Sequence, residues 1–178
     1  MTADAASRPG VQVGPTSEFS LFFHVKPGHG PALREALRDL QSSPGYRPGD
    51  YELPIAVIHE ARFVPFDDDT RLLFATSFDG TWDSYMLDFA SKPLKLFDAI
   101  FQHVVGYEGL PDLEAVKNFI LSAQVTAGGY ARNYAGTVKE IRKAERVNRA
   151  FQQVLDDPAA AEALQAPALA PLLAEAAD

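Results

Sequence analysis

Four histidines carry most of the chemistry open to this chain, which has no cysteine to serve as thiolate nucleophile or metal ligand. His59 opens HEARFVPF, an alternating segment with His59, Ala61 and Phe63 on one face and Glu60, Arg62 and Val64 on the other. An imidazole on an apolar strand face suits proton transfer, or ligation of a metal or haem. The ordinary alternative is a core histidine satisfied by a carboxylate or a backbone group. Arg62 suits a carboxylate-bearing ligand or a peroxide, against an ion pair with an acidic helix surface. His59 and Arg62 point to opposite faces, so they share one site only if a bulge intervenes. His24 lies beside Ser20 and Phe22 on the mixed face of EFSLFFHVK, well placed to face a pocket. Trp82 and Tyr85 are one helical turn apart and would make an aromatic wall for a flat ligand, or plain core. The expected catalytic set is His59, His24 and Arg62; the expected substrate-binding set is Phe22, Phe63, Trp82 and Tyr85.

Other residues point to less. His103 falls near a helix C-terminus, where the helix dipole favours its charged form. His29 has no second ligand at metal spacing, and Asp67-Asp68-Asp69 lacks the glycine and distal glutamate of a calcium loop, so no metal site is expected. GxGxxG, the Walker loop, GxSxG and HExxH are all missing.

The elements that must position these residues follow from period and punctuation. Residues 1–17 mix small and polar types with Gly10, Gly14, Pro9 and Pro15, and read as a mobile tail. The alternation of Phe19, Leu21, Phe23 and Val25 predicts a first strand over 18–26. Gly30-Pro31 starts a helix with Leu33, Ala36, Leu37 and Leu40 inward. Residues 57–65 and 71–78, rich in β-branched and aromatic types, flank the Asp67-Asp68-Asp69 turn as a hairpin. Asp79-Gly80 turns the chain into a helix capped by Thr81, with Trp82, Tyr85, Met86 and Phe89 at helical spacing. That helix breaks at Lys92-Pro93 and resumes to Gly106. Asp112 caps a short inserted helix. Residues 124–134 give a weak last strand because of Gly128-Gly129. Thr137-Val138-Lys139-Glu140 forms a capping box for an additional C-terminal helix. The order is that of an α+β, ferredoxin-like βαββαβ fold with an antiparallel sheet. One such domain is expected over 18–157, followed by an Ala- and Pro-rich tail over 158–178. Both strand faces are apolar, so a second layer must cover the sheet, and a copy of the same chain supplies it as a homodimer.

Composition narrows the function classes. At 178 residues with 47% hydrophobic and 22% charged side chains, the chain is of ordinary globular make-up. A net charge of −8 argues against a nucleic-acid footprint or an anionic membrane as partner. No apolar run suits a membrane span, the N-terminus has no secretory pattern, and the lack of cysteine fits a cytoplasmic location.

The two-sided sheet in βαββαβ order resembles the dimeric α+β barrel superfamily, which includes chlorite dismutases, dye-decolourising peroxidases and antibiotic-biosynthesis monooxygenases. More narrowly, His59-x-Ala61-Arg62-Phe63, Arg71-Leu72-Leu73-Phe74 and Phe78-Asp79-Gly80-Thr81-Trp82-Asp83-x-Tyr85-x-x-Asp88-Phe89 are similar to a bacterial family found alone or beside peroxidase- and catalase-like sequences. The resemblance spans about residues 53–155 and transfers no catalytic residue. It implies a small-molecule site used in peroxidase- or monooxygenase-like oxidation of an apolar or aromatic substrate. Haem-bearing members of the superfamily take a proximal histidine from a helix, which makes His103 the cofactor-binding candidate and haem the candidate cofactor. The alternative is a non-catalytic accessory protein for a neighbouring redox enzyme.

Overall fold

The computed structural model describes residues 10–51, 53–91, 95–109 and 111–177. Its elements are β1 (Val11–Val13), β2 (Thr16–His24), α1 (Gly30–Ser42), β3 (Ile58–Phe66), β4 (Arg71–Asp79), α2 (Trp82–Ser91), α3 (Lys95–Phe101), α4 (Leu113–Ala123), β5 (Gln124–Val125) and α5 (Val138–Leu155). The antiparallel sheet runs β1-β2-β4-β3, and β5 also pairs with β2. With β2, β3, β4 and β5 as its four strands, the sheet has the ferredoxin-like order, β2 and β4 central.

The edge of β2 is shared. β1 pairs with its first half, Val11 opposite Glu18, and β5 with its middle, Val125 opposite Ser20. The expected tail therefore begins to be structured at least by Val11, and β2 starts at Thr16 rather than Glu18. Gly10 permits this approach: a Cβ there would lie 2.8 Å from the Glu18 carbonyl oxygen. The last strand, expected over 124–134, is only two residues long. Beyond it, residues 126–137 form no regular secondary structure.

Strand alternation puts Phe19, Leu21 and Phe23 of β2 on the same face as Leu72, Phe74 and Phe78 of β4. Leu33 of α1, Met86 of α2, Ile100 of α3 and Ile120 of α4 bury themselves in the same core. The other face carries Phe22, Val64, Phe66 and Leu73, with Val64 41% exposed.

Local signals account for the helix starts. Thr81 and Ser84 bond reciprocally at the start of α2, the Ser84 amide donating to Thr81 Oγ1 at 3.3 Å and the Thr81 amide to Ser84 Oγ at 3.2 Å. Asp112 Oδ1 accepts the Ala115 amide at 2.9 Å to start α4. The expected break at Lys92-Pro93 lies outside the described residues. α3 ends at Phe101, short of the expected Gly106, and residues 102–106 form a turn.

The chain divides into two compact units, Met1–Val138 and Lys139–Asp178, with the division at the start of α5. The second unit continues α5 into short helical turns, among them α6 (Ala161–Leu164) and α7 (Ala170–Glu175). Its apolar side chains Val147, Val154 and Leu172 are exposed. Among the described residues, no helix is long and apolar enough to cross a membrane.

Candidate functional site

β3 departs from regular pairing where the chemistry gathers. Ile58 pairs with Phe78 and Glu60 with Ser77, so His59 is the extra residue of a β-bulge. The bulge puts Ile58 on the core face and turns His59 to the opposite one, away from Phe63. Two residues on the bulged strand can then share a face, which brings His59 to the side that also carries Arg62. Arg62 nonetheless stays exposed beside Ala75 and does not reach it.

What His59 meets is Asp79. Its Nε2 lies 2.6 Å from Asp79 Oδ1, with the His59 side chain 3% exposed and that of Asp79 14%. An ionised carboxylate only accepts, so Nε2 carries the proton and donates it. The second carboxylate oxygen, Oδ2, accepts the Val138 amide at 2.8 Å, which fixes the carboxylate from the start of α5. Register supplies the rest of the support, because Asp79 ends β4 opposite Thr16 of β2. Gly80 follows at φ 89°, donates its amide to the Pro15 carbonyl at 2.8 Å and accepts Ser17 Oγ at 2.7 Å. The residue expected to fix a corner thus orients an imidazole as well.

Two further side chains come from the irregular 126–137 segment. Arg132 Nη2 donates to the Gly136 carbonyl at 3.0 Å and lies 3.4 Å from His59 Nε2. The Arg132 guanidinium sits 4.6 Å from the centroid of the Tyr134 ring, and that ring is 5.9 Å from the His59 imidazole. Thr16 Oγ1 is 3.4 Å from Nε2. His59, Asp79, Arg132, Tyr134 and Thr16 form one constellation, and sequence reading singled out only His59 as catalytic. Arg132 and Tyr134 fell in a segment read as a strand. Their proximity to His59 is a tertiary fact that no local period encodes.

The remaining candidates do not gather there. Trp82 and Tyr85 are core: Trp82 Nε1 donates to Gln124 Oε1 at 2.9 Å, and Tyr85 stacks on Phe78 at 4.1 Å. Burial pushes the Tyr85 phenol above the usual tyrosine range. Phe63 packs on the helix side against Phe74 at 4.6 Å, while Phe22 lies on the other face with Phe66 and Arg71. These two rings cannot line one pocket in the same subunit. His24 is exposed at the far end of β2, opposite Arg71.

His103 corrects a further expectation. Its Nδ1 lies 3.1 Å from Nδ1 of His29, so the two histidines that sequence kept apart are partners. The ring centroids are 5.4 Å apart, the separation of two imidazoles aligned nitrogen to nitrogen in a hydrogen bond rather than converging on an ion. Burial first, then His29 and Lys26, hold His103 below the usual histidine range, opposite to the charged form expected from the helix end. Haem does not fit here: the turn leaves Gln102 and Val105 beside His103 exposed, so it does not enclose the face of a macrocycle. Among the described residues, no group of His, Cys, Asp or Glu side chains has the arrangement to hold a metal ion.

No family model matches the chain, and no curated protein does. Among solved structures it is similar to tetracenomycin F2 cyclase from Streptomyces glaucescens, described as a type-II polyketide cyclase. The identity is 12% over 66% of this chain and 97% of that one, with a TM-score of 0.39. A likeness at that level carries no inference about activity.

Proposed function

We propose that this protein binds a small molecule at the His59–Asp79 pair and moves a proton to or from it. The observation that carries this reading is the 2.6 Å bond from Nε2 to Asp79 Oδ1, with the carboxylate itself anchored by the Val138 amide. Asp79 fixes the tautomer, which leaves Nδ1 as the nitrogen that exchanges a proton with a ligand. Tyr134 supplies a half-exposed aromatic face nearby, which suits an aromatic ligand bearing an acidic hydroxyl. Oxidation of a quinol by dioxygen or a peroxide begins with such a deprotonation, the quinol losing two electrons and two protons to that oxidant, so a peroxidase- or monooxygenase-like role is the finer form of the proposal. Turnover of a panel of hydroquinones, with dioxygen or hydrogen peroxide supplied as oxidant, by the wild-type chain, H59Q and D79N tests it. Loss of turnover in both variants is expected, and turnover indifferent to His59 overturns the reading.

A second copy across the open sheet face belongs to the same proposal. α1–α4 bury their apolar residues on one face, while Phe22, Val64, Phe66 and Leu73 occupy the other. Light scattering on the full chain is expected to give twice the 19.4 kDa chain mass; a monomer at working concentration removes this part.

A further inference from the structure

We propose that Arg132 recognises a carboxylate on the ligand of the His59–Asp79 site, an inference that rests on that site being a ligand site. The guanidinium is poorly satisfied where it stands. Its Nη1 is buried and has no hydrogen-bond partner. Its Nη2 gives one bond to the Gly136 carbonyl. The other neighbour of Nη2 is His59 Nε2 at 3.4 Å, but that nitrogen directs its proton to Asp79 at 2.6 Å. No lone pair is left there to accept from arginine.

Nor does a carboxylate bond to it directly: among the described residues, Arg132 forms no ion pair, and Asp79 is committed to His59 and the Val138 amide. The chain carries 24 aspartates and glutamates against 16 lysines and arginines, so acidic side chains are not in short supply. A partly buried guanidinium with unmet donors beside an oriented imidazole is a donor set waiting for acceptor oxygens. The Tyr134 ring, its centroid 4.6 Å away, packs against the guanidinium without taking up an N–H in a hydrogen bond. A planar fork of N–H groups fits a planar carboxylate, which takes two parallel bonds, better than a tetrahedral anion.

Access is through the 126–137 segment. It has no regular secondary structure, and Tyr134 within it is 52% exposed. The ligand enters beside the exposed Tyr134 ring and its carboxylate takes up the donors of Arg132, which brings its remainder beside the His59 ring.

Calorimetric titration of the full chain with benzoate, benzamide and inorganic phosphate tests the inference. Benzoate is expected to bind at least about tenfold more tightly than benzamide, its neutral match, and than phosphate. In R132Q that preference disappears; in R132K, which keeps the charge without the fork, it is reduced. In H59Q benzoate still binds. Absence of benzoate binding, equal affinity for benzamide, or an R132Q variant that binds benzoate like wild type overturns the assignment, and preference for phosphate overturns the carboxylate class. Failure of the two readings is distinguishable. Benzoate binding that needs Arg132, with hydroquinone turnover indifferent to His59, removes proton transfer and leaves the carboxylate site. Turnover that needs His59, with benzoate indifferent to Arg132, does the reverse.

Discussion

His59 and His103 each make one short ring-nitrogen contact, His59 with Asp79 and His103 with His29, and the two contacts have opposite character. His59 is nearly buried and meets a carboxylate, whose other oxygen is held by a backbone amide. His103 sits part-buried on a turn and meets another imidazole, with Lys26 as a further positive neighbour. The turn is well fixed: the Lys26 amide donates to the His103 carbonyl and the Val105 amide to the His24 carbonyl, each at 2.8 Å. The carboxylate of the first pair accepts and never donates, so it dictates where the histidine proton lies. Two imidazoles dictate nothing; either can donate, and a proton on both Nδ1 atoms breaks the bond. One pair is built to orient and the other to respond to pH.

The widest separation between the pairs is expected on truncation. Asp79→Ala strips the acceptor from both His59 and the Val138 amide in a nearly water-free place, and should lower stability by about 2–4 kcal/mol in denaturant titration. Asp79→Asn keeps one acceptor and should lose less. His29→Ala removes a part-buried neutral bond, with an expected loss below about 1 kcal/mol. If His29→Ala costs as much as Asp79→Ala, the contrast between the pairs is wrong.

The next test is pH. The folded state holds His103 below its ordinary value, so the unfolded chain binds its proton more readily. That contribution to stability is intact above about pH 6.5 and declines as pH falls from there through the lowered folded value. Denaturation midpoints should fall across that window in the wild-type chain and change less in His103→Gln. A wild-type and variant slope that coincide would remove His103 as the responsive group.

A smaller effect is expected at Glu18, which is 7% exposed and accepts the Val11 amide at 3.0 Å. Burial raises its carboxyl above the ordinary value of 4.5, only partly opposed by that bond. Its folded form keeps the proton to higher pH than the unfolded chain does. The stability this contributes is present below pH 4.5 and is lost as pH rises through the raised value. Glu18→Gln keeps the acceptor without the charge and should be modestly more stable than wild type at pH 7, a difference that disappears in acid. The same melting series checks it.

The fold was legible because its signals are local. Alternation along β2, the acidic hairpin, Asp112 before α4 and Thr81 before α2 each act within a few residues. The turn even shows why it is aspartate-rich: Asp67, Asp68 and Asp69 all take positive φ, at 51°, 52° and 62°, a region that short polar side chains enter more easily than others. Pairing at the margins was not legible, since β1 has only three residues between Gly10 and Gly14 and looks like tail. The site was half legible. His59 stood out by type, but the bulge that turns it depends on pairing with β4, and Asp79 looked like corner chemistry. Arg132 and Tyr134 gave no periodic signal because their segment has no regular structure to impose one. His29 and His103 show the same limit: each was read alone, and only the bridge between Val25 and Val104 brings their turns together.

The divided edge of β2 also joins partners of very different sequence separation. β1 and β2 are neighbours in the chain and close as a local hairpin, whereas β5 pairs only after the long excursion that ends at Gln124. The local hairpin therefore covers part of a vulnerable strand border at little loop-closure cost, at the end where Asp79 stands opposite Thr16.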